Sequence, residues 1–120
     1  MSEKQTMKKI LVAEDEQDVL YFLKLILELG DIEVITAEDG EEALRKHEKE
    51  KPDLVICDVK MPKMSGLEVY ERIPNKEKFI LISGIVQEKD IPKELVERGD
   101  FFIKPLPPKE FVERVKLRLK

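Results

Sequence analysis

The chain of 120 residues holds one cysteine and one histidine, and no apolar run near the ~18 residues that span a bilayer. The single Cys57 excludes an internal disulfide and fits a reducing compartment. The first residues, Met1 to Lys9, are polar and lack the apolar centre of a signal peptide. A cytoplasmic protein without a membrane partner is therefore expected. There is no internal repeat and no low-complexity segment. Positive charge is also in deficit: 22 Lys and Arg face 26 Asp and Glu, a net charge of −4. That balance argues against direct nucleic-acid binding.

What is present suits one domain. Hydrophobic residues make up 42% of the chain, enough to bury a core. Charged residues reach 40%, dominated by Lys and Glu, a pattern seen in heat-adapted proteins. A single domain over residues 8–120 is expected, after a flexible stretch at 1–7 and with no output domain.

Five short apolar runs stand out: Ile10-Leu11-Val12-Ala13, Val34-Ile35-Thr36, Leu54-Val55-Ile56-Cys57, Phe79-Ile80-Leu81-Ile82 and Phe101-Phe102-Ile103. They are continuous rather than alternating, as in strands of a parallel sheet covered on both faces. Helical patterns lie between them. Val19, Phe22, Leu23, Ile26 and Leu27 share one helical face, and Gly30 supplies a stop. A second helix is expected from Glu41 to Glu50. A third opens on Ser65-Gly66-Leu67-Glu68, a capping box with Ser65 as N-cap, and Pro74 ends it early. A fourth covers roughly Pro92 to Arg98 and stops at Gly99. A fifth follows Pro107-Pro108 and carries Phe111, Val112, Val115 and Leu119 on one side. Strand then helix, five times over, implies a parallel sheet with helices on both faces and right-handed crossovers.

In such a sheet, chemistry gathers at the carboxyl ends of the strands. Glu14 and Asp15 follow the first strand, Asp58 the third, Ser83 and Gly84 the fourth, Lys104 and Pro105 the fifth. Two unit charges ~4 Å apart repel by roughly 4 kcal/mol at an effective dielectric near 20, so three convergent carboxylates call for a neutralising cation. Magnesium suits oxygen ligands and retains waters for an incoming phosphate. With Lys104 opposite, the set reads as a phosphoryl-handling site. The bland alternative makes Asp15 a helix N-cap.

The segment from Asp58 through Val59-Lys60-Met61-Pro62-Lys63-Met64-Ser65-Gly66 to Leu67-Glu68 resembles the phosphoacceptor loop of bacterial response-regulator receiver domains. Ile10-Leu11-Val12-Ala13-Glu14-Asp15-Glu16 resembles their acidic first strand, and Lys104-Pro105 their closing pair. The resemblance runs from about Lys8 to Lys120. It implies a flavodoxin-like, doubly wound (βα)5 sandwich of three layers, with a parallel five-stranded sheet in the order 2-1-3-4-5.

The resemblance also implies roles. Asp58 is the phosphoacceptor. Asp15, Asp58 and the backbone carbonyl of Lys60 bind Mg2+ (Mn2+ as a substitute), and Glu14 holds it through water. Ser83 and Lys104 meet the phosphoryl group, while Phe101 is an aromatic switch moving with Ser83; a static packed aromatic is the alternative. The Lys104-Pro105 peptide is expected to be cis. The implied partners are a sensor histidine kinase or histidine phosphotransfer protein, and a downstream protein meeting the fourth helix, last strand and fifth helix. A phosphorylation-dependent dimer is allowed. Such a domain catalyses only its own phosphorylation and dephosphorylation. The competing classes are a magnesium-dependent aspartyl-phosphate phosphatase or phosphotransferase, and a receiver-like module that takes no phosphate. Val59-Lys60-Met61 lacks the second acid that the phosphatases use, which counts against the first of these.

Several features depart from the family pattern. The stretch from Asp58 to Ser83 is short, and Gly84 stands where alanine is common. Lys60 and Ile85 flank the expected path of an attacking water, and neither orients it well, which predicts a long-lived phosphoryl group. Elsewhere, His47 is expected at a solvated helix position and Cys57 as a small apolar filler. Arg114, Lys116, Arg118 and Lys120 are expected on a solvated face that favours a helix C-terminus. Phe101 and Phe102, adjacent on a strand, must face opposite sides.

Overall fold

The computed structural model describes residues 7–28, 30–84 and 88–120. Its strands are β1 (Lys8–Ala13), β2 (Ile32–Ala37), β3 (Leu54–Asp58), β4 (Phe79–Ser83) and β5 (Phe101–Ile103). They alternate with α1 (Gln17–Glu28), α2 (Gly40–Glu50), α3 (Gly66–Arg72), α4 (Lys93–Glu97) and α5 (Pro108–Leu119), and a single 3₁₀ turn, Glu88–Asp90, precedes α4. All strand pairs are parallel, in the order β2-β1-β3-β4-β5. This is the expected doubly wound arrangement. The expected flexible stretch lies outside the described residues except for its last member, Met7, which is exposed.

Strand side chains alternate between two cores, which is why the apolar runs are unbroken. Ile10, Val12, Ile56, Ile80 and Ile82 face α1 and α5. Leu11, Ala13, Val55, Cys57, Phe79 and Leu81 face α2, α3 and α4. The phenylalanine pair divides as alternation requires. Phe102 meets Phe111 of α5 edge to face at 5.2 Å, and Phe101 packs on the opposite core.

Helix α1 shows one difference from expectation. Its buried residues are Leu20, Leu23 and Leu27, whereas Phe22 is 37% exposed. The helix is apolar on nearly every side, so periodicity alone could not select the face that meets the sheet. Helix α3 ends as its sequence dictates. Ile73 is extended because Pro74 follows it, and the Lys76 ammonium donates to the carbonyls of Tyr70 at 2.6 Å and Ile73 at 3.0 Å. Only half of the capping box forms: Glu68 N–H donates to Ser65 Oγ at 3.2 Å, while the Glu68 carboxylate pairs with Arg72.

Two further expectations are corrected. His47 is half-buried in a groove with Leu44, Pro52, Ile73 and Pro74, and burial together with the Lys51 charge lowers its pKa. The groove lies between the end of α2 and the residues that close α3, which local sequence around His47 does not reveal. The basic run of α5 is not wholly solvated either. Arg114 and Arg118 turn inward, with Arg98, onto the fully buried Asp100. Arg98 Nε lies 2.6 Å and Arg118 Nε 2.8 Å from Asp100 Oδ2, and Arg114 Nε 3.9 Å from Oδ1. Gly99, at φ +80°, makes the turn beneath this cluster, where a Cβ would lie 2.7 Å from the Arg114 guanidinium.

Candidate active site at the carboxyl edge of the sheet

Strands β1, β3, β4 and β5 each deliver one polar residue to the same edge, and backbone bonds hold these residues laterally. Glu14 N–H donates to Ala37 O at 2.9 Å, Val59 N–H to Ile82 O at 2.9 Å, and Lys104 N–H to Ser83 O at 2.8 Å. The ladder thus continues past the strands and fixes Glu14, Asp58, Ser83 and Lys104 relative to one another. The Lys104–Pro105 peptide is cis.

Gly66 fixes the loop after β3. Its N–H donates to Val59 O at 2.8 Å, and a Cβ there would lie 2.1 Å from Asp58 O. Any side chain would push the loop away from the backbone of Asp58. The loop can therefore close on itself only with glycine at this position.

The acids divide into inner and outer members. Glu14 is fully buried and Asp58 nearly so, while Asp15 and Glu16 are exposed at the mouth. Carboxylate oxygens of Glu14, Glu16 and Asp58 lie within 4.8 Å of one another. Lys104 Nζ sits among them, 2.8 Å from Glu16 Oε1, 3.2 Å from Glu14 Oε1 and 3.3 Å from Asp58 Oδ2. Asp15, Glu16, Asp58, Lys60, Met61, Pro62, Gly84 and Lys104 line the cleft above. Leu20 N–H donates to Glu16 O at 3.0 Å, so the first turn of α1 begins after Asp15.

One ammonium cannot offset this much negative charge. Burial pushes the Glu14 carboxyl up to about 7, with the Asp58 charge adding to the effect and the Glu16 N–H bond and Lys104 opposing it. Burial raises Asp58 too, against the charge and hydrogen bond of Lys104. For Lys104, burial works against the ammonium, but the Glu16 bond and the charges of Asp58 and Glu14 outweigh it and raise its pKa. A carboxylate cluster with surplus negative charge and hard oxygen donors fits a small divalent cation.

The sequence-predicted residues converge, though unequally. Glu14, Asp58 and Lys104 are in contact, and Asp15 and Lys60 line the same cleft. Ser83 is buried at the end of β4, and Gly84, after it, borders the cleft with 3.8 Å between a built Cβ and Lys104 Cε, so alanine would fit there as well. Ile85 lies outside the described residues. Phe101 is half-buried on the α4 side of β5. Sequence reasoning missed Glu16 as the closest partner of Lys104. The signal was a third consecutive acid, but its reach back over the cleft depends on where α1 starts. Among the described residues, no helix is long and apolar enough to cross a membrane.

Comparison with known proteins agrees with this geometry. Residues 10–116 match the family described as "Response regulator receiver domain". The chain is 42% identical over 117 residues to the alkaline phosphatase synthesis transcriptional regulatory protein PhoP of Bacillus subtilis (strain 168), covering 94% of this chain and 49% of PhoP. It is 34% identical over 116 residues to the response regulator GtcR of Aneurinibacillus migulanus, covering 94% of this chain and 48% of GtcR. The chain thus spans about half the length of these relatives. Among solved structures, it is similar to the response regulator TrrA of Thermotoga maritima in complex with Mg2+–BeF, with 38% identity, a TM-score of 0.82, and coverage of 94% of this chain and 100% of that one. A matching sheet order, a cluster of acids around one lysine and a family match over most of its length lead to one conclusion: the chain belongs to the response regulator receiver domains of two-component signal transduction.

Proposed function

We propose that this receiver takes a phosphoryl group on Asp58 in a Mg2+-dependent reaction. The observation that carries the proposal is the contact of Lys104 with Asp58 and Glu14 in a cleft whose buried acids exceed its cations. Asp15 and Asp58, the Lys60 carbonyl, and Glu14 through water are the groups that would hold the cation. Mn2+ would serve in its place. When bound, the cation draws negative charge from the transferring phosphoryl group.

The chain's own residues do the rest. An Asp58 carboxylate oxygen attacks phosphorus in line, a P–O bond forms, and the P–N bond of a donor phosphohistidine breaks, its electron pair leaving with the imidazole. The side chain passes from one negative charge to about two, which draws Lys104 and the Ser83 hydroxyl toward it. Because Lys104 N–H is bonded to Ser83 O, motion of one segment is felt by the other. Phe101, on the next strand, then turns inward.

The donor would be a sensor histidine kinase or a phosphotransfer protein. The output face would be α4, β5 and α5, where Val96, Ile103 and Leu117 are exposed, meeting a downstream protein or a second phosphorylated copy. The buried Cys57 suits a reducing, cytoplasmic setting.

The test is incubation with Mg2+ and acetyl phosphate followed by intact mass. One phosphoryl group is expected on the wild type and none on Asp58→Asn. A wild type that gains no mass with any donor would return the chain to the class of receiver-like modules that take no phosphate.

A further inference from the structure

We propose that Glu16 is a positioning residue: it holds Lys104 at the cleft mouth in the resting protein and releases it when Asp58 is phosphorylated. This rests on the reading of Asp58 as acceptor.

Lys104 has three N–H donors, and three carboxylates occupy them. The shortest contact, 2.8 Å, is with the most exposed of the three, since the Glu16 side chain is 62% exposed while those of Glu14 and Asp58 are 0% and 5%. These partners differ in what it costs to leave them. A buried carboxylate stripped of its cation stays uncompensated, whereas an exposed one is rehydrated. A new phosphoryl oxygen can therefore capture an N–H of Lys104 most easily by displacing Glu16.

Local geometry keeps Glu16 ready for this exchange. Its backbone N–H donates to Glu14 Oε2 at 3.0 Å, which ties its Cα to the inner acid while its side chain reaches back over the cleft. Its carboxylate, 2.8 Å from Lys104 Nζ, competes with the inner acids for the ammonium. A compact ammonium on a flexible stem can shift between such partners without moving the backbone. In the resting state Glu16 thus withdraws part of the positive charge that the incoming phosphoryl group needs.

The test compares wild type, Glu16→Gln, Lys104→Ala and the double variant, following acyl phosphate by intact mass at saturating Mg2+. Glu16→Gln should form it about three- to fivefold faster, the rate equivalent of one exposed ion pair. The gain should appear with both acetyl phosphate and the less charged phosphoramidate, and should vanish in the Lys104→Ala background. Mg2+ affinity by calorimetry should change less than twofold. An unchanged or slower rate would overturn the proposal. So would a gain that persists without Lys104, which would mark simple repulsion of the donor, or a tenfold weaker Mg2+ affinity, which would make Glu16 a ligand. Phosphorylation of wild type with no gain in Glu16→Gln sinks the latch alone; no phosphorylation of wild type sinks the Asp58 reading and the latch together.

Discussion

Asp58 and Asp100 are both buried aspartates at an end of a sheet strand or just before one, yet their surroundings are opposite in charge. Around Asp58, two more acids share a single lysine, and the cleft is open. Around Asp100, three arginines surround one acid, and the cluster ties the end of α4 and the start of β5 to α5. The first region has negative charge to be completed by something arriving; in the second, arginines already outnumber the acid, although Asp100 Oδ1 and Arg118 Nε make no hydrogen bond. A buried carboxylate therefore signals reactivity only when its neighbours leave it undercompensated.

Removing Asp100 should produce the largest change in stability. Asp100→Ala leaves guanidinium groups without their buried counter-charge and should cost about 3 kcal/mol in urea unfolding. Acyl phosphate formation on Asp58 should persist wherever the variant remains folded. If stability is unaltered, the contrast between the regions fails.

The open cluster should respond in the opposite sense. Folding raises the Glu14 carboxyl from its ordinary 4.5 to about 7, so the folded protein keeps a proton that the unfolded chain releases. Its favourable contribution is fully present below pH 4.5 and is lost as pH rises through about 7. The metal-free protein should lose on the order of 2 kcal/mol across that window, since each pKa unit is worth about 1.4 kcal/mol and solvent at the mouth screens part of it. Glu14→Gln should flatten this dependence in thermal melts. Added Mg2+ should oppose the loss, and its affinity should rise from pH 6 to pH 8. A wild-type stability independent of pH in the absence of metal would show that the acids are already balanced.

The smallest effect sharpens the comparison inside the closed cluster. Arg114 stands 3.9 Å from Asp100 Oδ1, outside hydrogen-bond reach, and retains 29% exposure. Arg114→Ala should cost under about 1 kcal/mol, clearly less than Arg118→Ala by the same denaturation. Equal losses would mean that the three arginines act as one unit.

Much of the candidate site was legible before folding was considered. Once five strands were assigned, the rule that strand ends converge brought Glu14, Asp58, Ser83 and Lys104 to one edge. Long-range side-chain choices were not legible. Phe22 and Leu20 are equally apolar, and only the docking angle of α1 buries Leu20. Arg114 and Arg118 read as ordinary solvated helix charges because their partner lies on another element. Glu16 is one acid among many until the position of α1 directs it at Lys104.

The sequence by itself determined the strand-helix alternation, the parallel sheet and the chemistry available at its edge, because these follow from local periodicity and from topology. The tertiary structure alone decided which acid takes the lysine, which arginines are drawn inside and how far each carboxyl is desolvated. Those outcomes depend on distances between residues far apart in the chain, and electrostatic energy in a low-dielectric interior varies steeply with such distances.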